Sequence, residues 1–284
     1  MKNKIIELFG QDIRATDIEW EKHIEKSYCP YSKSKCIKIR KSNSTIAIGT
    51  CTVDYGKSNP KNLIICPYRF LERNQVFLDS FHLLRLHEPG NELHIIPEIG
   101  IPGGNVDYFL VSVKKSKMVD FVGIEFQSID TTGTIWPERQ RLLTELGLNA
   151  PLEAAEANKS YGMNWKMTAK TILVQLHHKI ETFEGLGKAF VLSLQDYFLD
   201  YLFNNFNFSH LAEPARIGDS MHFHAYQLID NGSCFSIDLT KRMSTDANGI
   251  ATALGLQADP NVELQELLNI LESKISKQTI LQIR

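Results

Sequence analysis

The sequence predicts an α/β or α+β chain built around one sheet, with a small cysteine-bearing module near its N-terminus. Three observations carry that prediction. Between residues 106 and 194, two strand-like runs, a helical stretch and a third strand-like run follow one another, an order that builds a sheet with a crossover helix. Four of the five cysteines fall within the first 70 residues. The chain has 284 residues with 43% apolar and 23% charged side chains, so it buries roughly 75% of its extended surface and sustains a real core.

Each element has its own signal. Residues 106–113 and 119–129 are rich in β-branched and aromatic side chains and are separated by Lys114-Lys115-Ser116-Lys117, which predicts an antiparallel hairpin. Residues 151–158 read as the start of a helix rich in Ala and Glu. Residues 167–180 predict a second helix, with Ile172, Leu176 and Ile180 at helical spacing. Gly185 and Gly187 end it, and residues 189–194 read as a buried strand. Leu264, Leu267, Leu268 and Leu271 predict a final amphipathic helix, packed on the surface or forming a dimer. By composition the chain divides into residues 1–75, carrying the cysteines, and residues 76–284.

The net charge of −2 excludes a globally basic polyanion binder, so any such site is a local patch. No stretch approaches the roughly 18 apolar residues of a membrane helix, and no signal peptide is visible. The expected location is cytoplasmic, with no membrane partner.

The chemistry concentrates in the hairpin. Asp107 follows a Gly-Gly-Asn turn, and Glu125 and Gln127 lie two apart on the next strand, so they leave the same face. Val122, Ile124 and Phe126 occupy the other face and are expected in the core. Carboxylates inside apolar strands are costly unless paired or metal-bound. Two on neighbouring strands repel each other and suit Mg²⁺, whose natural work here is phosphodiester hydrolysis. The alternative is a hairpin whose acids face solvent. Cys29, Cys36, Cys51 and Cys66, with six, fourteen and fourteen intervening residues, read as one tetrahedral thiolate site or as small buried core residues.

From residue 26 to 41 the chain is basic without one acid, carrying Lys33, Lys35, Lys38, Arg40 and Lys41. That run is a phosphate-contacting surface or a solvated face. Thr131, Thr132 and Arg139 after the second strand, and Lys170 or Gln175 on the following helix, are further candidates for DNA contact. His177 and His178 diverge by about 100° on a helix and do not share a ligand. Asp219, His222 and His224 read as ordinary polar surface, Asp54 and Asp120 as structural, and Cys234 as a core or surface thiol.

Asp107 followed by Glu125-Phe126-Gln127 resembles the PD-(D/E)xK nuclease motif, with Gln127 where Lys is commoner. The string Gly123-Ile124-Glu125-Phe126-Gln127-Ser128-Ile129-Asp130-Thr131-Thr132-Gly133 is similar to that of NotI-type restriction endonucleases, in which Glu-x-Gln also occurs. The resemblance implies a mixed sheet flanked by helices, with Asp107 and Glu125 holding Mg²⁺. It also implies that Glu98, from an upstream core helix, joins the site, and that Gln127 orients the water. That family carries an N-terminal four-cysteine domain binding one iron, with Cys-Pro pairs at both ends. Cys29-Pro30 and Cys66-Pro67 fit that order, although the first interval is shorter here. The donors suit iron or zinc alike, in a structural centre set away from the carboxylates.

The implied function is a prokaryotic type II restriction endonuclease of a restriction-modification system: a homodimer hydrolysing double-stranded DNA at a palindromic site. The alternatives are a structure-selective nuclease of repair or recombination, and a non-catalytic, metal-stapled DNA-binding regulator.

Overall fold

The computed structural model describes residues 4–56, 58–150, 161–256 and 264–274. The N-terminal part forms a four-stranded sheet in the order β2-β1-β3-β4. Its strands are β1 (Ile5–Leu8), β2 (Gln11–Asp12), β3 (Thr50–Tyr55) and β4 (Lys61–Ile64). Helix α1 (Trp20–Lys26) and two short strand pairs occupy the excursion between β2 and β3.

Six strands make the main sheet: β5 (Glu92–Ile101), β6 (Gly104–Lys114), β7 (Lys117–Gln127), β8 (Ala189–Gln195), β9 (Met221–Asp230) and β10 (Phe235–Thr245). Their order is β10-β9-β8-β7-β6-β5. The run β5-β6-β7 is an antiparallel meander, β7, β8 and β9 are parallel, and β10 returns antiparallel. The predicted hairpin, helix and buried strand are therefore present. The fold is mixed α+β.

Parallel strands need a crossover. Between β7 and β8 it contains α4 (Trp165–Gly185), and between β8 and β9 it contains α5 (Asp196–Asn205). Ile172, Leu176 and Ile180 of α4 are buried with Leu173 and Phe183 against Phe109, Phe190 and Leu192. Each such side chain contributes roughly 1.5–3 kcal/mol on leaving water. The opposite sheet face buries Leu110, Val122, Ile124 and Phe126 against Phe70, Leu71 and Val76. Val76 lies on α2 (Gln75–Ser80). Helices α3 (Trp136–Glu145), α6 (Ala247–Ala253) and α7 (Leu264–Glu272) complete the described helices. The last matches the predicted C-terminal helix, and the helix expected over residues 151–158 lies outside the described residues.

The two sheets share one core: Ile5, Leu8, Val53 and Leu63 belong to the same buried cluster as Phe109 and Leu192. Polar ties fix their relative position. Gln195, buried at the end of β8, accepts from the Ile64 amide at 2.9 Å and donates to the Asn62 carbonyl at 2.7 Å. Arg69, with no exposed surface, meets Glu7 at 2.9 Å and Glu72 at 2.8 Å, and donates to the Phe235 carbonyl at 2.9 Å. The N-terminal module thus sits beside the C-terminal ends of β7 and β8, where open α/β sheets place their ligands.

Two expectations are corrected. Glu98 lies in strand β5, not on a helix, because residues 92–101 pair along β6. His222 and His224 are completely buried rather than surface residues. They alternate with Phe223 on a central strand covered on both faces, so even the polar face of β9 lies inside. Burial pushes His222 down to about 4.

Candidate active site

Strand register builds the site. Tyr108 pairs with Ile124 across β6 and β7, and with Pro97 across β6 and β5, while Val106 pairs with Ile99. Glu98, Asp107 and Glu125 therefore occupy matching positions on three adjacent strands. The Phe126 amide donates to Asp107 Oδ2 at 2.8 Å, fixing that carboxylate beside β7. Glu98 has φ +49°, a left-handed conformation that is strained for a non-glycine residue. It remains exposed at the sheet edge, whereas Asp107 is half-buried and Glu125 is only 8% exposed.

Glu125 points toward α4, opposite to the Ile124 and Phe126 side chains. There Lys179 Nζ meets Glu125 Oε1 at 2.7 Å, and both residues are buried. Glu125 Oε2 is buried and has no hydrogen-bond partner among the described residues. Burial raises the pKa of Glu125, the Asp107 charge adds to the rise, and Lys179 opposes it. Asp107 is also raised by burial, with Glu98 reinforcing the effect and the Phe126 amide and Lys179 opposing it.

Lys179 is a site residue that the motif pattern of the sequence does not mark. Its only sequence signal is a lysine between His178 and Ile180 on the apolar side of α4. Gln127, two residues beyond Glu125 on β7, donates from Nε2 to the Ser128 carbonyl at 2.6 Å. It lines an open groove of about 650 Å³ with Lys38, Cys66, Tyr68, Thr131 and Asn164. Tyr68 also stands by the carboxylates, since Glu98 and Asp107 help raise its hydroxyl after burial itself.

A second hollow of about 690 Å³ shares Lys38 and Thr131 with the first and adds Arg40, Lys41 and Trp136. The Arg40 guanidinium lies 4.3 Å from the Trp136 ring centre, while Lys38 is tied to the Ile65 carbonyl at 2.9 Å. Lys33, Lys35, Thr132 and Lys170 are exposed but line neither hollow. Arg139 is not available for contact with a partner. It is 3% exposed and donates from Nε to the Ile48 carbonyl, locking α3 to the N-terminal module.

Cys29, Cys36, Cys51 and Cys66 line one cavity of about 20 Å³, and all four are free thiols. The Cys66 thiol is lowered, first by the Cys51 thiol and then by Lys38 and the Tyr68 and Arg69 amides, while Cys51 is raised by the same contact and by burial. Cys66 lines the groove as well as the cavity, so this cluster adjoins the groove. Among the described residues, no three His, Cys, Asp or Glu side chains are already gathered as a metal-holding group.

Asp120, by contrast, is structural as expected, paired with Lys188 at 2.5 Å. Asp219 accepts from Ser244 at 2.6 Å, and Cys234 is exposed. No family model matches the chain, and no curated protein matches it in sequence.

Proposed function

We propose that this chain is a Mg²⁺-dependent deoxyribonuclease with a PD-(D/E)xK core, cutting double-stranded DNA at specific sites as a type II restriction endonuclease. The observation that carries the reading is the buried pairing of Glu125 with Lys179, next to Asp107 on the adjoining strand. This places two carboxylates and one ammonium at the end of a mixed sheet. The position more often held by lysine is Gln127, and Lys179 supplies the cation from the helix instead.

The donors fit Mg²⁺. It takes hard oxygen ligands, and the unpartnered Glu125 Oε2 with the Asp107 carboxylate offers them. When bound, the ion acidifies the attacking water and stabilises charge on the phosphoryl oxygens. Lys179 holds Glu125 in one rotamer through Oε1, leaving Oε2 for the ion. Its ammonium also favours negative charge developing on the scissile phosphate. Glu98 adds a third carboxylate from the sheet edge. DNA would lie along the two hollows that share Lys38 and Thr131, with Arg40 and Lys41 on its phosphates.

We read the four cysteines as one structural iron or zinc centre. Four free thiols around a single small cavity form the donor set of a tetrahedral thiolate site. A homodimer acting on a palindrome follows from the same reading, supported by the apolar residues Leu93, Ile95 and Ile96 exposed on edge strand β5. Sedimentation of the protein, free and on DNA, checks it.

Incubation with Mg²⁺ and a mixed-sequence plasmid tests the function. Discrete fragments are expected. Cleavage confined to branched DNA would identify a structure-selective nuclease, and an intact plasmid would overturn the proposal.

A further inference from the structure

The turn joining β5 to β6 reads Pro102-Gly103-Gly104 and lies against α4 on both sides of Lys179. Gly103 has φ +96°, and a Cβ there would stand 2.6 Å from the carbonyl carbon of His178 and 3.1 Å from the Lys179 amide nitrogen. At Gly104, φ +130°, a Cβ would meet the Lys179 Cε at 3.4 Å. Close by, Thr182 Oγ1 donates to the Pro102 carbonyl at 3.1 Å.

The obstacle at Gly103 is helix backbone, which cannot rotate aside as a side chain can. Any side chain there must therefore push the turn and the helix apart. The same turn closes the hairpin whose strands carry Glu98 and Asp107. On its N-terminal side α4 is joined to β7 only through a long excursion, from Gln127 to Trp165, whereas three residues join its other end to β8, so the turn contact adds a tie on the side that the chain leaves loose.

We infer that Gly103 is a positioning residue: it lets the β5–β6 turn seat directly on the α4 backbone and so fixes Lys179 against Glu125. The consequence for cleavage rests on the nuclease reading, whereas the positioning itself is measurable without metal or DNA. Gly185 supplies a control on the same helix, since a Cβ there would meet nothing within 4 Å.

The experiment follows the Glu125 carboxyl by carbon-13 NMR titration of the metal-free full chain, assigned with Glu125→Gln. In Gly103→Ala the titration is expected to move upward toward that of Lys179→Met, because the ammonium withdraws, while Gly185→Ala stays with the wild type. In parallel, Mg²⁺-dependent plasmid cleavage by Gly103→Ala is expected to fall at least tenfold, with Gly185→Ala unchanged. A folded Gly103→Ala protein with an unmoved Glu125 titration overturns the inference, even if its melting temperature drops. Should Gly103→Ala fail to fold, Thr182→Val decides: it removes one bond at the same contact and adds no bulk. An upward move supports the inference and no move overturns it. A wild-type protein that leaves plasmid intact while the titrations shift as stated would overturn the nuclease reading and leave the positioning role standing.

Discussion

Lys179 Nζ lies 2.7 Å from Glu125 Oε1 across 54 positions of sequence. The bond joins the C-terminal end of strand β7 to the inner side of a helix, and both residues are buried. An ion pair in such surroundings must offset a desolvation cost of several kcal/mol per ion. Its geometry leaves the second Glu125 oxygen unpartnered beside Asp107, which is the arrangement expected of a site that receives a cation.

Lys179→Met keeps most of the stem volume and removes the ammonium. Cleavage is expected to fall by about 100- to 1,000-fold, the range typical of losing one charge-stabilising donor. Folding should survive, because Glu125 can take up a proton once its partner is gone. Single-turnover cleavage and a melting curve on the same preparation check both halves.

Asp107→Asn should abolish cleavage and preserve or tighten DNA binding. The amide oxygen can still accept from the Phe126 amide, so the local geometry is retained while a negative ligand is lost. Gel-shift and cleavage assays on one duplex separate the two effects. Cleavage at the wild-type rate would show that the carboxylates have no catalytic role.

Acidity should govern the site from above the ordinary carboxylate range. Asp107 and Glu125 are both raised, chiefly by burial, and the proposed chemistry needs both ionised. Mg²⁺ binding is therefore expected to weaken as pH falls, beginning above the usual carboxylate values, and saturating Mg²⁺ is expected to move the acid limb of cleavage downward; cleavage rates against pH at low and saturating Mg²⁺ check it. Stability has the opposite sign. The folded metal-free protein holds these protons more tightly than the unfolded chain, so stability falls as pH rises between the unfolded and folded values. Urea midpoints across that window, with Glu125→Gln for comparison, check the slope.

Arg69→Met should destabilise the fold by about 3–5 kcal/mol, the cost of leaving a buried charge without its partner. Glu7 would be left behind at 2% exposure. Urea denaturation measures the loss, and Glu7→Gln with Arg69→Met tests whether removing both charges restores part of it.

Elemental analysis of reduced, folded protein is expected to find about one iron or zinc per chain. Cys51→Ser and Cys66→Ser should lose it. Because Cys66 also lines the groove beside Gln127, its loss should impair cleavage as well as folding. A fully reduced, folded sample with neither metal would exclude the centre.

Local signals in the sequence determined the hairpin, the central helix and the buried strand after it. Ile172, Leu176 and Ile180 share one side of a helix whatever surrounds it, and the alternation through Val122, Ile124 and Phe126 fixes which side of β7 is apolar. The pairing of Asp107 with Glu125 does not follow from that alternation, because a register shift between Ser112 and Val113 moves the hairpin by one residue and brings Glu125 rather than Ile124 opposite Asp107. What tertiary structure decided is everything set by elements distant in sequence. The residues of β5 carry no alternation that marks a strand, and only pairing with β6 places Glu98 beside Asp107. His222 and His224 look polar in isolation, yet a strand in the middle of a covered sheet has no solvent face. Lys179 is a cation among apolar helix residues, and its purpose depends on a carboxylate 54 positions earlier. The period of a strand or helix is a property of the local chain. The environment that gives a buried charge its partner is created only when the chain closes on itself.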